Sequence, residues 1–213
     1  MEKRLTILLC LISFFACGQT LQIRYEDVQG KELGRQTFYS VLRNKNYVIG
    51  QNKEGTVYRL IPDRERKTRI SDYPKLIELL NRELDLSLDA GQPLFIYYYP
   101  GPDAMNSNGT DAGLLTFKHE TDQFEKELKK KVNGQNLMLF GKESPGVYSN
   151  HPLIPWKKDP GDEIKKRFFP DYHYQYASFV LLFPDGDCYI YLGEFSYDKV
   201  FDYIRLRNKD LKK

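Results

Sequence analysis

The chain has 213 residues and a formal net charge of +3; 41% of its residues are hydrophobic and 14% aromatic. A charge so near balance leaves no electrostatic footprint for nucleic acid, and the Tyr and Phe content argues against a disordered chain. The length suffices for one substantial core that buries roughly 70% of the unfolded chain's surface.

The first residues, Met1-Glu2-Lys3-Arg4, precede an apolar stretch from Leu5 to Phe15 broken only by Thr6 and Ser13. A basic start, an apolar segment of about 7–15 residues and small residues behind it make a secretory signal. The segment is too short to span a bilayer, which takes roughly 20 apolar residues. Phe14-Phe15-Ala16-Cys17-Gly18 resembles the lipobox of bacterial lipoproteins, in the relaxed form common in Bacteroidetes-type bacteria, with Phe14 where that family usually has Leu. The resemblance implies that residues 1–16 are removed and Cys17 is lipidated. The other reading is ordinary cleavage after Gly18, leaving Gln19 first. The expected location is the cell envelope, as a periplasmic or outer-membrane lipoprotein held only by its lipid anchor, or outside the cell if freely secreted. Loss of Glu2, Lys3 and Arg4 lowers the formal charge by one. Cys10 lies in the signal and Cys17 is lost or lipidated, so Cys188 is left with no internal disulfide partner. It reads as a small buried core residue.

Along the rest of the chain, Gln22–Tyr25 reads as a short strand ended by Asp27-Val28-Gln29-Gly30. Leu33–Arg43 places Leu33, Phe38, Val41 and Leu42 at amphipathic helical spacing. Tyr47–Ile49 and Thr56–Ile61 flank a turn ending in Gly55, which makes a hairpin. Residues 17–55 are read as an N-terminal extension and residues 56–213 as the main domain. Pro62–Arg69 is a charged connector. Ser71 or Asp72 caps a helix with Pro74 in its first turn, and Leu76, Ile77, Leu79, Leu80 and Leu84 supply its apolar stripe. Pro93–Tyr99 is an apolar, aromatic run that reads as a buried central strand stopping at Pro100-Gly101-Pro102. Met105–Gly113 is a polar loop, and Thr121 or Asp122 opens a helix carrying Phe124, Leu128 and Val132 on one face. Asn136–Phe140 is the next strand. A proline-rich connector, Lys142–Gly161, carries Trp156, and Asp162 or Glu163 starts a short helix. Ala177–Phe183, the Asp185-Gly186 turn and Cys188–Gly193 form a hairpin. Ser196 caps a last helix.

From Thr56 onward this order resembles the thioredoxin fold, whose mixed sheet opens with parallel strands and closes with an antiparallel hairpin. Thioredoxin-like enzymes follow their central strand with Trp-Cys-Gly-Pro-Cys; here Tyr99-Pro100-Gly101-Pro102-Asp103 stands in that place. The Gly-Pro pair is kept, while Pro100 and Asp103 replace the two cysteines. Ala177-Ser178-Phe179 stands where those enzymes carry a cis-proline. The resemblance covers roughly residues 56–207. It implies an α/β class, a thioredoxin-like mixed sheet flanked by helices, with an N-terminal α+β extension. Dithiol exchange needs a thiolate of lowered pKa and a resolving thiol, and Pro100 and Asp103 supply neither.

In open α/β sheets, sites lie in loops at the carboxyl ends of strands. With the chain laid out as the thioredoxin resemblance implies, the candidate binding residues are Tyr99, Pro100, Gly101, Pro102, Asp103, Trp156, Tyr172 and Ala177. Tyr98, Phe169 and Tyr174 add rings at the same end, and rings with polar tips suit peptide or sugar recognition. His119, His151 and His173 lack metal-ligand spacing, and Asp185 with Asp187 offer too few oxygens for calcium. No cofactor, metal or catalytic residue is assigned, and no nucleophile elbow, phosphate loop or zinc signature is present. The expected role is binding or assembly with a protein, peptide or glycan of the envelope. Two alternatives stand beside it: a thiol oxidoreductase or peroxidase relative using Cys188, and a hydrolase using Asp103, Asp111 and Glu120.

Overall fold

The structure is a computed structural model that describes residues 23–43, 47–102 and 111–211, with side chains from residue 113 onward in the last segment. The signal region with Cys17, and Asp103, lie outside the described residues. In chain order the elements are β1 (Arg24–Glu26), β2 (Glu32–Leu33), α1 (Arg35–Leu42), β3 (Val48–Gln51), β4 (Val57–Ile61), β5 (Glu65–Arg69), α2 (Tyr73–Leu84) and β6 (Leu94–Tyr99). They continue as α3 (Asp111–Val132), β7 (Gln135–Phe140), β8 (Lys157–Lys158), α4 (Glu163–Phe168), β9 (His173–Tyr174), β10 (Ser178–Leu182), β11 (Asp187–Tyr191) and α5 (Tyr197–Asp210). The class is α/β, with two mixed sheets flanked by helices. Among the described residues no helix is long and apolar enough to cross a membrane.

The larger sheet runs β5-β11-β10-β6-β7-β8. β6 is parallel to β7, β10 is antiparallel to both β6 and β11, and β5 adds an antiparallel edge. β6 is apolar at successive positions because helices cover both of its faces, which a half-exposed alternating strand could not satisfy. Successive side chains point to opposite faces. Leu94, Ile96 and Tyr98 thus join Leu76, Ile77 and Leu80 of α2 and Ile164 and Phe168 of α4 in one core layer. Phe95 joins Phe124 and Leu128 of α3 and Val200 and Ile204 of α5 in the other.

α2 begins as expected, with Asp72 at its N-cap and Pro74 in its first turn, and Asp85 in a left-handed conformation ends it. The Asp72 carboxylate leaves its own helix uncapped and accepts two bonds from Arg167 Nη1 of α4, at 2.8 and 2.7 Å. Those hydrogen bonds hold its carboxyl below the usual range against the opposing effect of burial. A lowered native pKa stabilises the fold above the unfolded carboxyl's value of about 3.9 and is lost as the pH falls through the native value. The pair is partly exposed, so its worth is that of a screened bridge. Asp72→Asn is therefore expected to be less stable than wild type by roughly 0.5–1 kcal/mol near pH 7. The gap should narrow as the pH falls below the unfolded carboxyl's value and through the native one, as read by urea titration across the acid range; a gap independent of pH would refute the assignment.

Several elements differ from the sequence reading: Leu33 belongs to β2 rather than to the helix, the proline-rich connector holds β8, and three differences bear on the architecture. Val57–Ile61, expected to open the larger sheet, pairs instead with β1 and β3 in a second sheet ordered β2-β1-β4-β3-β9. Its Tyr58 and Leu60 pack under Phe38 of α1, while Ile61 faces the larger core. The charged connector contains β5, whose run Glu-Arg-Lys-Thr-Arg suits an edge strand that must not recruit another chain. It is seated by Tyr203, which donates to Glu65 at 2.9 Å, and by Lys67 over the Tyr189 ring. α3 starts at Asp111 rather than at Thr121, because Leu114 and Phe117 find apolar partners beside Trp156. Thr121 is buried mid-helix, its hydroxyl 3.0 Å from that of Tyr197.

Candidate functional site

Beyond the carboxyl end of β6, on the α2/α4 side, the chain encloses a cleft of about 490 Å³. Its aromatic wall is built by Tyr98, Phe169, Tyr172 and Tyr174. Tyr98 and Phe169 stack with centroids 5.0 Å apart and planes 20° apart, and Tyr174 stands edge-on to both Phe169 and Tyr172. These residues come together because the link after α4 first lends His173 and Tyr174 to β3 of the small sheet. It then crosses into β10 of the large one. Tyr176, at that crossing, sits at φ 67°, a conformation that bulky residues adopt only when their surroundings impose it.

Tyr172 is fixed from two sides. Its hydroxyl accepts from Arg59 Nη1 at 3.1 Å, and its ring lies against Gly50, where a Cβ would come within 2.8 Å of the ring. Arg59 in turn bonds Glu26, through Nε at 2.8 Å and through Nη2. Glu26 is buried and also accepts from Arg24 at 3.0 Å. A chain of charged and polar contacts thus runs from the first strand to the cleft wall.

Of the candidate residues, Pro100 and Tyr172 line the cleft, Gly101 is buried beside Lys142, and Pro102 is exposed. Tyr99 and Trp156 do not join them, which corrects the expected grouping. Tyr99 follows Tyr98 in the strand and so points to the opposite face, where it packs with Trp156, Met138 and Phe140. Trp156 is buried there, stacked on Phe117 at 6.2 Å and edge-on to Tyr97 at 5.7 Å. Ala177 also leaves the cleft; it lines a separate hollow of about 230 Å³ with Tyr97, Glu120 and Glu194.

The residues that sequence reasoning passed over are Gly141 and four lysines, Lys53, Lys142, Lys158 and Lys165, all lining the cleft. Each came from a turn, connector or helix surface where a lysine is ordinarily just solvated. Only Gly141, falling at the strand end next to the Pro100 turn, carried a sequence signal.

Cys188 pairs across to Leu182 and Thr68 in the larger sheet and is fully buried. Burial, helped by the charge of Asp187, pushes its thiol up to about 12. His151 Nδ1 accepts from the amides of Leu153 and Ile154, His119 meets Gln123, and His173 lines the cleft. Asp185 and Asp187 both pair with Arg207, so that turn is tied to α5. Glu120 is exposed on α3, and the side chain of Asp111 lies outside the described residues. The chain matches no protein-family model and no curated protein sequence. The functional reading therefore stands on the geometry of the cleft.

Proposed function

We propose that this is an exported cell-envelope protein whose α/β domain, thioredoxin-like in descent, holds a ligand or partner and exchanges no disulfides. The observation that carries the reading is the aromatic cleft beside Pro100, at the strand end where related enzymes place their thiols, with none of its lining residues a cysteine. The order β7-β6-β10-β11, with one parallel pair followed by an antiparallel hairpin, supports the thioredoxin-like assignment. A concave hollow that combines an aromatic wall with convergent polar groups suits a small-molecule site. The attacking species in thiol exchange is the thiolate, and a buried sulfur that resists ionisation makes Cys188 a poor nucleophile.

The test is insulin reduction by dithiothreitol with and without the purified mature chain. No acceleration is expected, and a thiol-labelling reagent should reach Cys188 only after unfolding. Acceleration that disappears in Cys188→Ser would overturn the proposal in favour of the one-cysteine oxidoreductase. Mass spectrometry of the membrane fraction should find a diacylated Cys17; an unmodified start at Gln19 would make the protein freely secreted.

A further inference from the structure

We propose that the cleft beside Pro100 takes a small anionic ring compound, with a phosphate or carboxylate among the lysines on the Tyr98 side and the ring against Tyr172. The inference rests on the reading of the cleft as a binding site and names the chemistry it selects.

Charge gives the first argument. Lys53, Lys142, Lys158 and Lys165 line the cleft, and among the described residues no carboxylate is paired with any of them. Asp162 and Asp171 are the opposing charges on the lining, so cations outnumber anions four to two. A concave site with low-dielectric walls concentrates such an excess on whatever enters. Lysine ammonium groups bind phosphate and carboxylate as point charges.

The second argument is a buried donor. Tyr98 lines the cleft, and its hydroxyl, buried behind that wall, has no hydrogen-bond partner among the described residues. Buried polar groups are nearly always satisfied, so an orphan at a cleft wall points to a missing acceptor. Burial raises its pKa, which keeps the hydroxyl a neutral donor at any working pH.

Gly141 supplies the third. A Cβ there would lie 2.9 Å from the Tyr98 hydroxyl oxygen and 2.8 Å from the Pro100 carbonyl oxygen. Its backbone is not left-handed, so glycine is needed here for space: any side chain would collide with the Pro100 carbonyl and the Tyr98 hydroxyl. Of the rings in the wall, Tyr172 is partly exposed and can meet the body of the ligand, and the volume suits a compound of about monosaccharide to drug size.

Isothermal titration of the mature chain with glucose 6-phosphate, glucuronate, glucose and inorganic phosphate tests this. Glucose 6-phosphate or glucuronate should bind about tenfold or more tightly than glucose, and more tightly than phosphate alone. Lys142→Gln combined with Lys165→Gln should weaken that binding about tenfold, and Tyr98→Phe should weaken it severalfold with the melting temperature unchanged. Equal affinity for glucose would overturn the anion requirement while leaving the cleft a binding site. Phosphate binding as tightly as glucose 6-phosphate would overturn the ring contact. No binding by any probe at about 10 mM, or full affinity in the lysine and tyrosine variants, would overturn the inference. The underlying reading fails by a separate route, disulfide turnover that depends on Cys188.

Discussion

Phe95→Ala is expected to destabilise the protein by about 3–5 kcal/mol. Phe95 is fully buried near the start of β6, between β10 and β7, under α3 and α5. Its ring meets Phe124 at 4.6 Å and Phe179 at 5.5 Å, and the rings of Phe195 and Tyr197 close around it at 6.2 Å. Removing it leaves a void bounded by rigid rings on both a strand and two helices, so collapse is poor and the cavity term is retained. Domains of this kind are stable by roughly 5–15 kcal/mol, so the variant should be partly unfolded or melt far below wild type. Phe95→Leu keeps most of the volume and should cost about 1–1.5 kcal/mol. Urea unfolding of the three proteins decides it; an alanine variant within about 1 kcal/mol of wild type would mean that the two layers do not meet at this residue.

Glu26→Ala is expected to cost about 2–3 kcal/mol and to loosen the cleft wall. The carboxylate is buried with two arginines on it, and its loss strands the Arg59 guanidinium beneath the small sheet. Arg59 is itself about a third exposed, at 34%, which keeps the penalty below that of a fully buried pair. Glu83→Ala, which breaks an exposed pair with Arg82, should shift stability by under about 0.5 kcal/mol. Because Arg59 also holds the Tyr172 hydroxyl, the first variant should speed amide exchange across His173 and Tyr174 and the second should not. Equal effects of the two would show that the carboxylate does not organise this corner.

The larger sheet was legible because its strands announce themselves. Leu94–Tyr99 and Ser178–Leu182 are short apolar runs bounded by Pro, Gly and Asp turns, and α2 carries both a start signal and a stripe. β5 was not legible, since Glu65–Arg69 has the composition of a loop and becomes a strand only because β11 offers it a ladder. Partnering overrides local preference at sheet edges. The same holds for Thr56–Ile61: its alternation marks a strand, but nothing in six residues says which of two sheets it joins.

The site was half legible for a related reason. The Pro100 turn and Tyr172 could be placed from the end of the central strand, whereas Tyr99 and Trp156 were grouped with them by position along the chain. Neighbours in a strand face opposite ways, so proximity in sequence is a poor guide to which face a ring occupies. The lysines could not be found because each looks solvated by itself. They become a set only when β3, β7, β8 and α4 are brought to one hollow.

The narrow strip from Pro170 to Ala177 has a further consequence. It pairs with the small sheet through two rungs, Gly50 with Tyr174 and Gln51 with His173, and leans on it through Tyr172, which meets Arg59 and Gly50, before entering β10. A molecule wedged beneath it would rest on both halves of the protein and act as mortar between them. Occupancy would then tighten the whole assembly, and trimming the first strands would unroof the hollow even with every residue of the larger sheet left intact.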